Sequence, residues 1–574
     1  MNCVRECDGV EAVCPVEGPV RPIDREEVCG ALAVMPAGRA AGGSGLSVEM
    51  LRAGGAMVAG KLAELFGRVW AEGTLPVEWR SSVIVPVYKK KGDPLDCGSY
   101  RAVKLLEHAM KVMERVIERR LRMCVSVHEM QRGFVSGRST ADAIFVLRQL
   151  LARHLEVGEA LWTVFVDLEK AYDTVPKELV WWALRKQGVE ESLVGAVRAL
   201  YDGPVSVVRV AGQLSRPFAV SVGLHQGSVL SPLLFVLVME CVSARVRVGL
   251  PWEVLYADDL VLVGRSEESV AERYGVWKRC LEGAGLRVNE AKTKVMCVRR
   301  GGGLPARFGR WPCAVCGRPV GASSIRCTVC GKWVHRKCAG VAGSLQRAEA
   351  AFVCSVCAAP HVDQVRDRLM PALEEVDSFS YLGDVVHAGG SPLAAVVSRI
   401  RSAWAKWKEL APFLAARGFR LTSKALLFTS CVRPVATYAA GLWPVRDDGL
   451  RLLSRMESRM LRWMAGLKRA DSRLSYSELL ELFRIAPIAD VVRSARVAWL
   501  GHVLRKEPGD GVRAMLDYAT QGSRSRGRPR TRWIDVAKED MRARGLTEGD
   551  ALDRSKWKAA IKHAVRPSKR GKRT

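Results

Sequence analysis

Two adjacent carboxylates, Asp258 and Asp259, stand in the middle of Val254-Leu-Tyr-Ala-Asp-Asp-Leu-Val-Leu-Val263, between two short aliphatic runs. Such runs predict a β-hairpin whose turn carries the acids, and paired carboxylates on an apolar hairpin are a candidate site for a hard cation. Asp is also a favoured turn residue, so the pair alone does not separate a site from a solvated turn. A third acid decides. Leu161-Trp-Thr-Val-Phe-Val-Asp167 is an apolar run of strand type that delivers Asp167 at its end. Between the two lies Val222-Gly-Leu-His-Gln-Gly-Ser-Val-Leu-Ser-Pro232, a glycine-containing turn that enters an apolar helical stretch from Leu233 to Val242.

Carboxylates from neighbouring strands suit two divalent ions about 3.5–4 Å apart, the arrangement nucleotidyl transfer uses to activate a 3′ hydroxyl and hold a triphosphate. Asp167 and Asp258 form the expected bridging pair. Asp259 is the third ligand, expected to act less directly because strand neighbours face opposite ways. The implied cofactors are two Mg2+ ions, with Mn2+ as a substitute. Mg2+ takes few protein carboxylates and completes its shell with substrate phosphate.

Phe165-Val-Asp-Leu-Glu-Lys-Ala-Tyr-Asp173, Gly223-Leu-His-Gln-Gly-Ser228 with Ser231-Pro232, and Tyr256-Ala-Asp-Asp259 together resemble a reverse transcriptase of the non-LTR retrotransposon type. Ser99-Tyr-Arg101, Gln131-Arg-Gly-Phe-Val-Ser-Gly-Arg-Ser-Thr140 and Phe379-Ser-Tyr-Leu-Gly383 are further matches. Trp499-Leu-Gly-His-Val503 and Arg526-Gly-Arg-Pro-Arg-Thr-Arg-Trp533 are similar to the tail of the RTE-type clade, and the resemblance runs from about Pro22 to His563.

The resemblance implies an α/β (α+β) right-hand polymerase fold: a leader at 1–47, fingers at 48–155, a ferredoxin-like palm at 156–300, a primer grip and helical thumb at 363–470, and a basic C-terminal region at 471–574. The implied activity is RNA-directed DNA polymerisation, in which a DNA primer or target 3′ end is extended with dNTPs along an RNA template. By the same resemblance Arg101 holds the triphosphate, Tyr172 lies under the incoming sugar and excludes a 2′ hydroxyl, and Gln226 and Gly227 sit against the nascent base pair. Lys292, with Lys294 as the fallback, is placed to protonate the leaving pyrophosphate. Relatives carry an N-terminal endonuclease that needs far more chain than precedes the fingers here, so polymerase competence without target nicking is expected. The rival, from another class, is a non-enzymatic transposon remnant that binds chromatin or nucleic acid.

Of the 17 cysteines, seven fall in one window as Cys313-x2-Cys316, Cys327-x2-Cys330, Cys338 and Cys354-x2-Cys357, with His335 three before Cys338. That is enough for two tetrahedral zinc sites. The segment, 301–362, resembles an inserted PHD finger, whose treble, cross-braced arrangement assigns Cys313, Cys316, His335 and Cys338 to one zinc and Cys327, Cys330, Cys354 and Cys357 to the other. Metal binding then supplies the folding energy of a module too small to bury much core. PHD fingers read histone tails, and Trp333 stands where one wall of a methyl-lysine cage forms. The stretch from Gly317 to Arg326 offers no second aromatic residue, so Trp333 is read as structural.

Composition agrees with a polyanion-binding chain. The balance of 89 Lys+Arg against 60 Asp+Glu over 574 residues gives a net charge of +29, which attracts nucleic acid with strong salt dependence. Val397, Ile400, Trp404, Trp407 and Ala411 recur at helical spacing beside Arg399, Arg401, Lys406 and Lys408, and a second helix carries an Arg451, Arg455, Arg459, Arg462 stripe. Both patterns suit a thumb that grips phosphates, with the tryptophans as core. Val229 to Val242 is the longest apolar candidate and is interrupted by Ser231, Pro232 and Glu240, short of a membrane span. The start lacks the basic and apolar regions of a signal peptide. The expected location is nuclear, without membrane contact, and Pro567-Ser-Lys-Arg-Gly-Lys-Arg-Thr574 is a candidate nuclear signal.

Overall fold

The computed structural model describes residues 12–19, 21–89, 92–299, 324–326, 333–340, 370, 373–467, 474–520, 522 and 530–565. The chain divides into two compact units. The first comprises Met1–Thr140, Phe165–Leu262 and Glu272–Thr293; the second comprises Ala141–Val164, Val263–Ala271 and Lys294–Thr574.

In the first unit the helix Arg25–Val34 opens on a reciprocal capping box between Asp24 and Glu27. It packs on the helices Gly55–Glu72 and His108–Cys124, and Arg120 binds Glu27 at 2.6 Å. A polar start and an apolar face predict a helix from Val48 to Trp79, and the structure breaks it: Val48–Ala53 stops at Gly54, and Gly55–Glu72 ends at Gly73, whose φ of 65° only glycine adopts freely. Strand β1 (Ser81–Tyr88) pairs antiparallel with β2 (Tyr100–Leu105). The sequence pattern predicts a helix from Leu105 to Leu121; Leu105 belongs instead to the strand, and the helix starts at His108.

Strand β3 (Leu161–Val166) enters this unit at its end. Parallel to β1 runs β4 (Val205–Val210), which in turn pairs with the short β5 (Gln213–Leu214) and β6 (Phe218–Ala219). Strands β7 (Glu253–Tyr256) and β8 (Asp259–Gly264) form the expected hairpin, with Tyr256 opposite Asp259, and β3 lies beside β8. The helix Ser231–Ser243 has Pro232 in its first turn and is buried along nearly its whole length.

In the second unit the beginning of β3 lies beside β9 (Lys294–Val298), with Thr163 Oγ1 donating to the Met296 carbonyl at 3.1 Å. Strands β10 (Ser324–Arg326) and β11 (Trp333–His335) pair antiparallel, and β12 (Glu374–Glu375) adds parallel to β9. Phe379-Ser-Tyr-Leu-Gly383 forms a hairpin of β13 (Ser378–Tyr381) and β14 (Asp384–His387). Its turn residues Leu382 and Gly383 have φ of 47° and 80°, the pattern of a two-residue turn that matches strand twist.

The helices Leu393–Leu414, Asp447–Met464 and Ile488–Leu504 share one core that includes Trp407, Phe428, Trp443 and Met460. Trp404, Trp407 and Trp463 meet edge-on at 5.2–5.8 Å. The tail resemblance acquires a structural meaning. Arg532 binds Glu156 through two nitrogens, Trp533 Nε1 donates to the Gly441 carbonyl at 2.8 Å, and the Trp533 ring packs edge-on against Phe145. His502 lies 3.4 Å from Asp142 and against Trp499, a structural placement. Among the described residues no helix is long and apolar enough to cross a membrane.

Candidate active site

Hydrogen-bond register places the acids. Strand β3 ends at Val166, and the next residue, Asp167, is fixed from both sides of its peptide: its N–H donates to Thr293 Oγ1 at 3.2 Å, and its carbonyl accepts from the Asn289 N–H at 2.8 Å. Asp258 and Asp259 follow Ala257, which sits in the left-handed region at φ 55°. Leu255 N–H bonds to the Met130 carbonyl and Arg132 N–H to the Leu255 carbonyl, so residues 130–132 flank β7 up to the turn.

The three carboxylates feel one another. Burial first, and then the Asp167 charge, raise Asp258 above the ordinary carboxylate range. Asp259 is pushed up to about 7, first by desolvation and then by the charges of Asp258 and Asp167, although the residue as a whole is exposed to solvent. Asp167 Oδ2 is buried without a hydrogen bond, and Lys292 Nζ lies 3.6 Å from it. Among the described residues no three His, Cys, Asp or Glu side chains converge into a ready-made metal cage. Crowded, under-compensated oxygens nevertheless fit a hard cation, because each departure is relieved by a positive charge brought among them. Such a sparse set suits an ion that completes its shell from water and phosphate.

A cleft of about 400 Å³ opens above the acids, lined by Phe134, Tyr172, Gln226, Gly227, Asp258 and Asp259 among others. The Tyr172 ring stacks on Phe235 at 4.6 Å. Its hydroxyl is buried without a partner and is held protonated by burial and then by Asp258. Gln226 Nε2 donates to Asp173 Oδ1 at 2.6 Å. Gly227, at φ 119°, lies so close to β2 that a Cβ would stand 2.6 Å from the Lys104 carbonyl oxygen, which explains the glycine.

Arg101 is exposed on β2, two positions from Val103 and on the face opposite Ala102 and Lys104. It is Ala102 and Lys104 that line the small cavity with Asp173 and Gln226. Lys292 reaches Asp167, whereas Lys294 binds Glu374 at 2.7 Å. Of the zinc candidates, His335 Nδ1 and Cys338 Sγ stand 3.8 Å apart; Cys313, Cys316, Cys327, Cys330, Cys354 and Cys357 lie outside the described residues.

Sequence reasoning missed the supports. Lys104 is buried and brought down to about 8, first by burial and then by Lys177. Glu114 is raised to about 7 by burial while it accepts the Val229 N–H at 2.8 Å. His225, lowered to about 3 by burial and then by Lys104 and Lys177, is a neutral ring stacked on Tyr201 at 4.4 Å. The period-2 pattern of β2 could have suggested Lys104, but no local signal marks the other two.

Residues 88–384, more than half of the chain, match the model of the reverse transcriptase (RNA-dependent DNA polymerase) family. The chain belongs to the reverse transcriptase family. It is 28% identical over 257 residues to the "Transposon TX1 uncharacterized 149 kDa protein" of Xenopus laevis, covering 42% of this chain and 20% of that protein. It is 26% identical over 266 residues to the "Probable RNA-directed DNA polymerase from transposon BS" of Drosophila melanogaster, covering 45% and 29%. Against the "Retrovirus-related Pol polyprotein from type-1 retrotransposable element R2" of Popillia japonica it is 24% identical over 299 residues, covering 50% and 40%. The matches thus span a fifth to two fifths of these relatives. The reverse transcriptase match contains every candidate of the acidic cleft.

A larger cavity of about 730 Å³ lies in the second unit, lined by Arg153, Glu156, Arg530 and Arg532 among others. These arginines are engaged already, Arg532 with Glu156, Arg530 with the Gly389 carbonyl and Arg153 with the Leu516 carbonyl. Size alone does not make it the reactive site.

Proposed function

We propose that this reverse transcriptase is the RNA-directed DNA polymerase of a non-LTR retrotransposon of the RTE type, extending a DNA 3′ end with dNTPs along an RNA template in the nucleus. The observation that carries the reading is that Asp258 and Asp259 line a cleft inside the family match and both have pKa values raised in part by the Asp167 charge. Asp167 and Asp258, with Asp259 beside them, would hold Mg2+, which when bound supplies activation of the 3′ hydroxyl and charge relief on the triphosphate. The chain's own residues do the rest. Tyr172, braced by Phe235, presents a flat wall to the sugar; Gln226, oriented by Asp173, and Gly227 leave room for the base pair. Lys292 beside Asp167 is positioned to deliver a proton to the leaving pyrophosphate, and Arg101 is assigned to the triphosphate.

Primer extension on poly(rA)/oligo(dT) with Mg2+ tests this reading. Asp258→Ala should lower the rate by roughly 1,000-fold or more, as loss of a group central to a catalytic cluster does. No extension by the wild-type chain, or equal extension by both, would end it. The non-enzymatic alternative gains nothing from an assembled acidic cleft.

The cysteine spacing, with His335 and Cys338 already adjacent, supports a PHD-like module holding two structural zinc ions. Zinc content of about two per purified chain, lost with Cys327→Ser and Cys354→Ser, is the expected result; a zinc-free chain would refute it. A histone tail is the partner the resemblance implies, and the described part of the module adds no support for it.

A further inference from the structure

We propose that Gln131 is a positioning residue for the acidic turn: its carboxamide oxygen holds Ala257 in the left-handed conformation and so sets where Asp258 and Asp259 point. The inference rests on the polymerase reading and deepens it.

Ala257 has φ 55° and is 2% exposed. A residue with a Cβ is disfavoured there, and two-residue hairpin turns select Gly, Asn or Asp at such positions. Alanine brings no side-chain hydrogen bond of its own, so the surroundings must hold it. Gln131 is fully buried, and its Oε1 accepts the N–H of Ala257 and the N–H of Gly133, each at 2.9 Å. Two donors converging on one atom require an acceptor, which fixes the orientation of the amide. Gly133 completes the clamp: a Cβ there would lie 2.5 Å from the Ala257 nitrogen.

The other end of the side chain is telling. Gln131 Nε2 is buried without a hydrogen-bond partner, a cost that a residue chosen for stability alone would avoid. The oxygen is what the position requires, and its target is the peptide immediately before Asp258.

The test compares Gln131→Met, of similar length without the oxygen, and Gln131→Asn, polar but too short, with Gln131→Glu, which keeps an acceptor at the same reach. Mn2+ binding to the primer-free chain is followed by electron paramagnetic resonance, and kcat and KM for dTTP are taken from primer extension. In the Met and Asn variants kcat should fall by roughly 100-fold, as a small misplacement of a catalytic group does, with KM little changed. Mn2+ binding should weaken by about tenfold, the usual effect of losing a residue that orients a ligand. Gln131→Glu should stay within a few-fold of wild type in both. Ala257→Gly, free to adopt positive φ, should recover part of the loss in the Met background.

Wild-type kcat and Mn2+ affinity in Gln131→Met or Gln131→Asn would overturn the proposal, as would equal losses in Met, Asn and Glu. If one variant does not fold, the other carries the comparison with Glu. A wild-type chain that extends no primer would sink the polymerase reading alone, because Mn2+ affinity still ranks the Gln131 variants.

Discussion

Two sets of acids in this chain are built on opposite plans. In the second unit Glu457 is fully buried, and every hydrogen bond it makes comes from a donor placed for it: Arg433 Nε at 2.7 Å, the Tyr476 hydroxyl at 2.6 Å and the Ile488 N–H at 3.1 Å. In the first unit Asp259 feels the charges of Asp258 and Asp167, and Asp167 Oδ2 has no hydrogen bond. A carboxylate that serves packing is surrounded by donors. A carboxylate that serves a cation is surrounded by other carboxylates, and the chain accepts a strained turn at Ala257 to keep them so.

The sharpest way to break this contrast is to measure stability with chelator present. Glu457→Ala leaves the buried Arg433 without its counter-charge and should cost about 3–5 kcal/mol. Asp259→Asn should do the reverse. Its carboxyl is pushed up to about 7, so the folded chain holds that proton more tightly than the unfolded one, and stability falls as pH rises from the ordinary carboxylate range toward 7. Removing the charge at neutral pH should therefore stabilise the metal-free chain, by about 1 kcal/mol once solvent screening is allowed for. Thermal unfolding of both variants decides; a shift in the same direction for the two would erase the distinction.

A second measurement sharpens it. With Asp259 protonated below about 7, a proton must leave for each cation bound. Mn2+ affinity should then weaken by about tenfold for each pH unit below 7 and level off above it. A flat profile from pH 6 to 8 would mean that the acids are already ionised and uncoupled.

How much of this was legible before folding depends on how local the signal was. The β7–β8 hairpin, the strand before Asp167 and the helix after Gln226 are carried by short-range patterns, and they appear at or near the expected boundaries. Phe379 to Gly383 likewise contains its own turn. The break at Gly54 was legible in principle, since a glycine weakens a helix, but the apolar periodicity on both sides masked it. Gln131, Glu114 and His225 were not legible as supports, because each acts on a backbone or ring far away in sequence: Gln131 on Ala257, Glu114 on Val229, His225 on Tyr201. Arg101 shows a subtler limit. The motif marks the strand, and only register shows that Lys104 is the cation on the side of Gln226.

Two lysines that one motif could not separate differ least in their contribution to folding and most in what they reach. Lys292 Nζ stands 3.6 Å from Asp167 and its side chain is 69% exposed, while Lys294 is tied to Glu374 with only 19% exposure. An exposed pair at this distance contributes about 0.2–1 kcal/mol at most, so Lys292→Ala should leave folding unchanged. A loss of proton delivery should instead appear in kcat, by roughly 100-fold on the scale of general acid catalysis, and its acidic-side pH dependence should remain, because that belongs to Asp259. Lys294→Ala should do the opposite, loosening β9 against β12 slightly and sparing kcat. Equal kcat losses from both, measured under single-turnover primer extension, would show that the lysine acts through strand packing, and the acidic cluster would then have no proton donor of its own at Lys292.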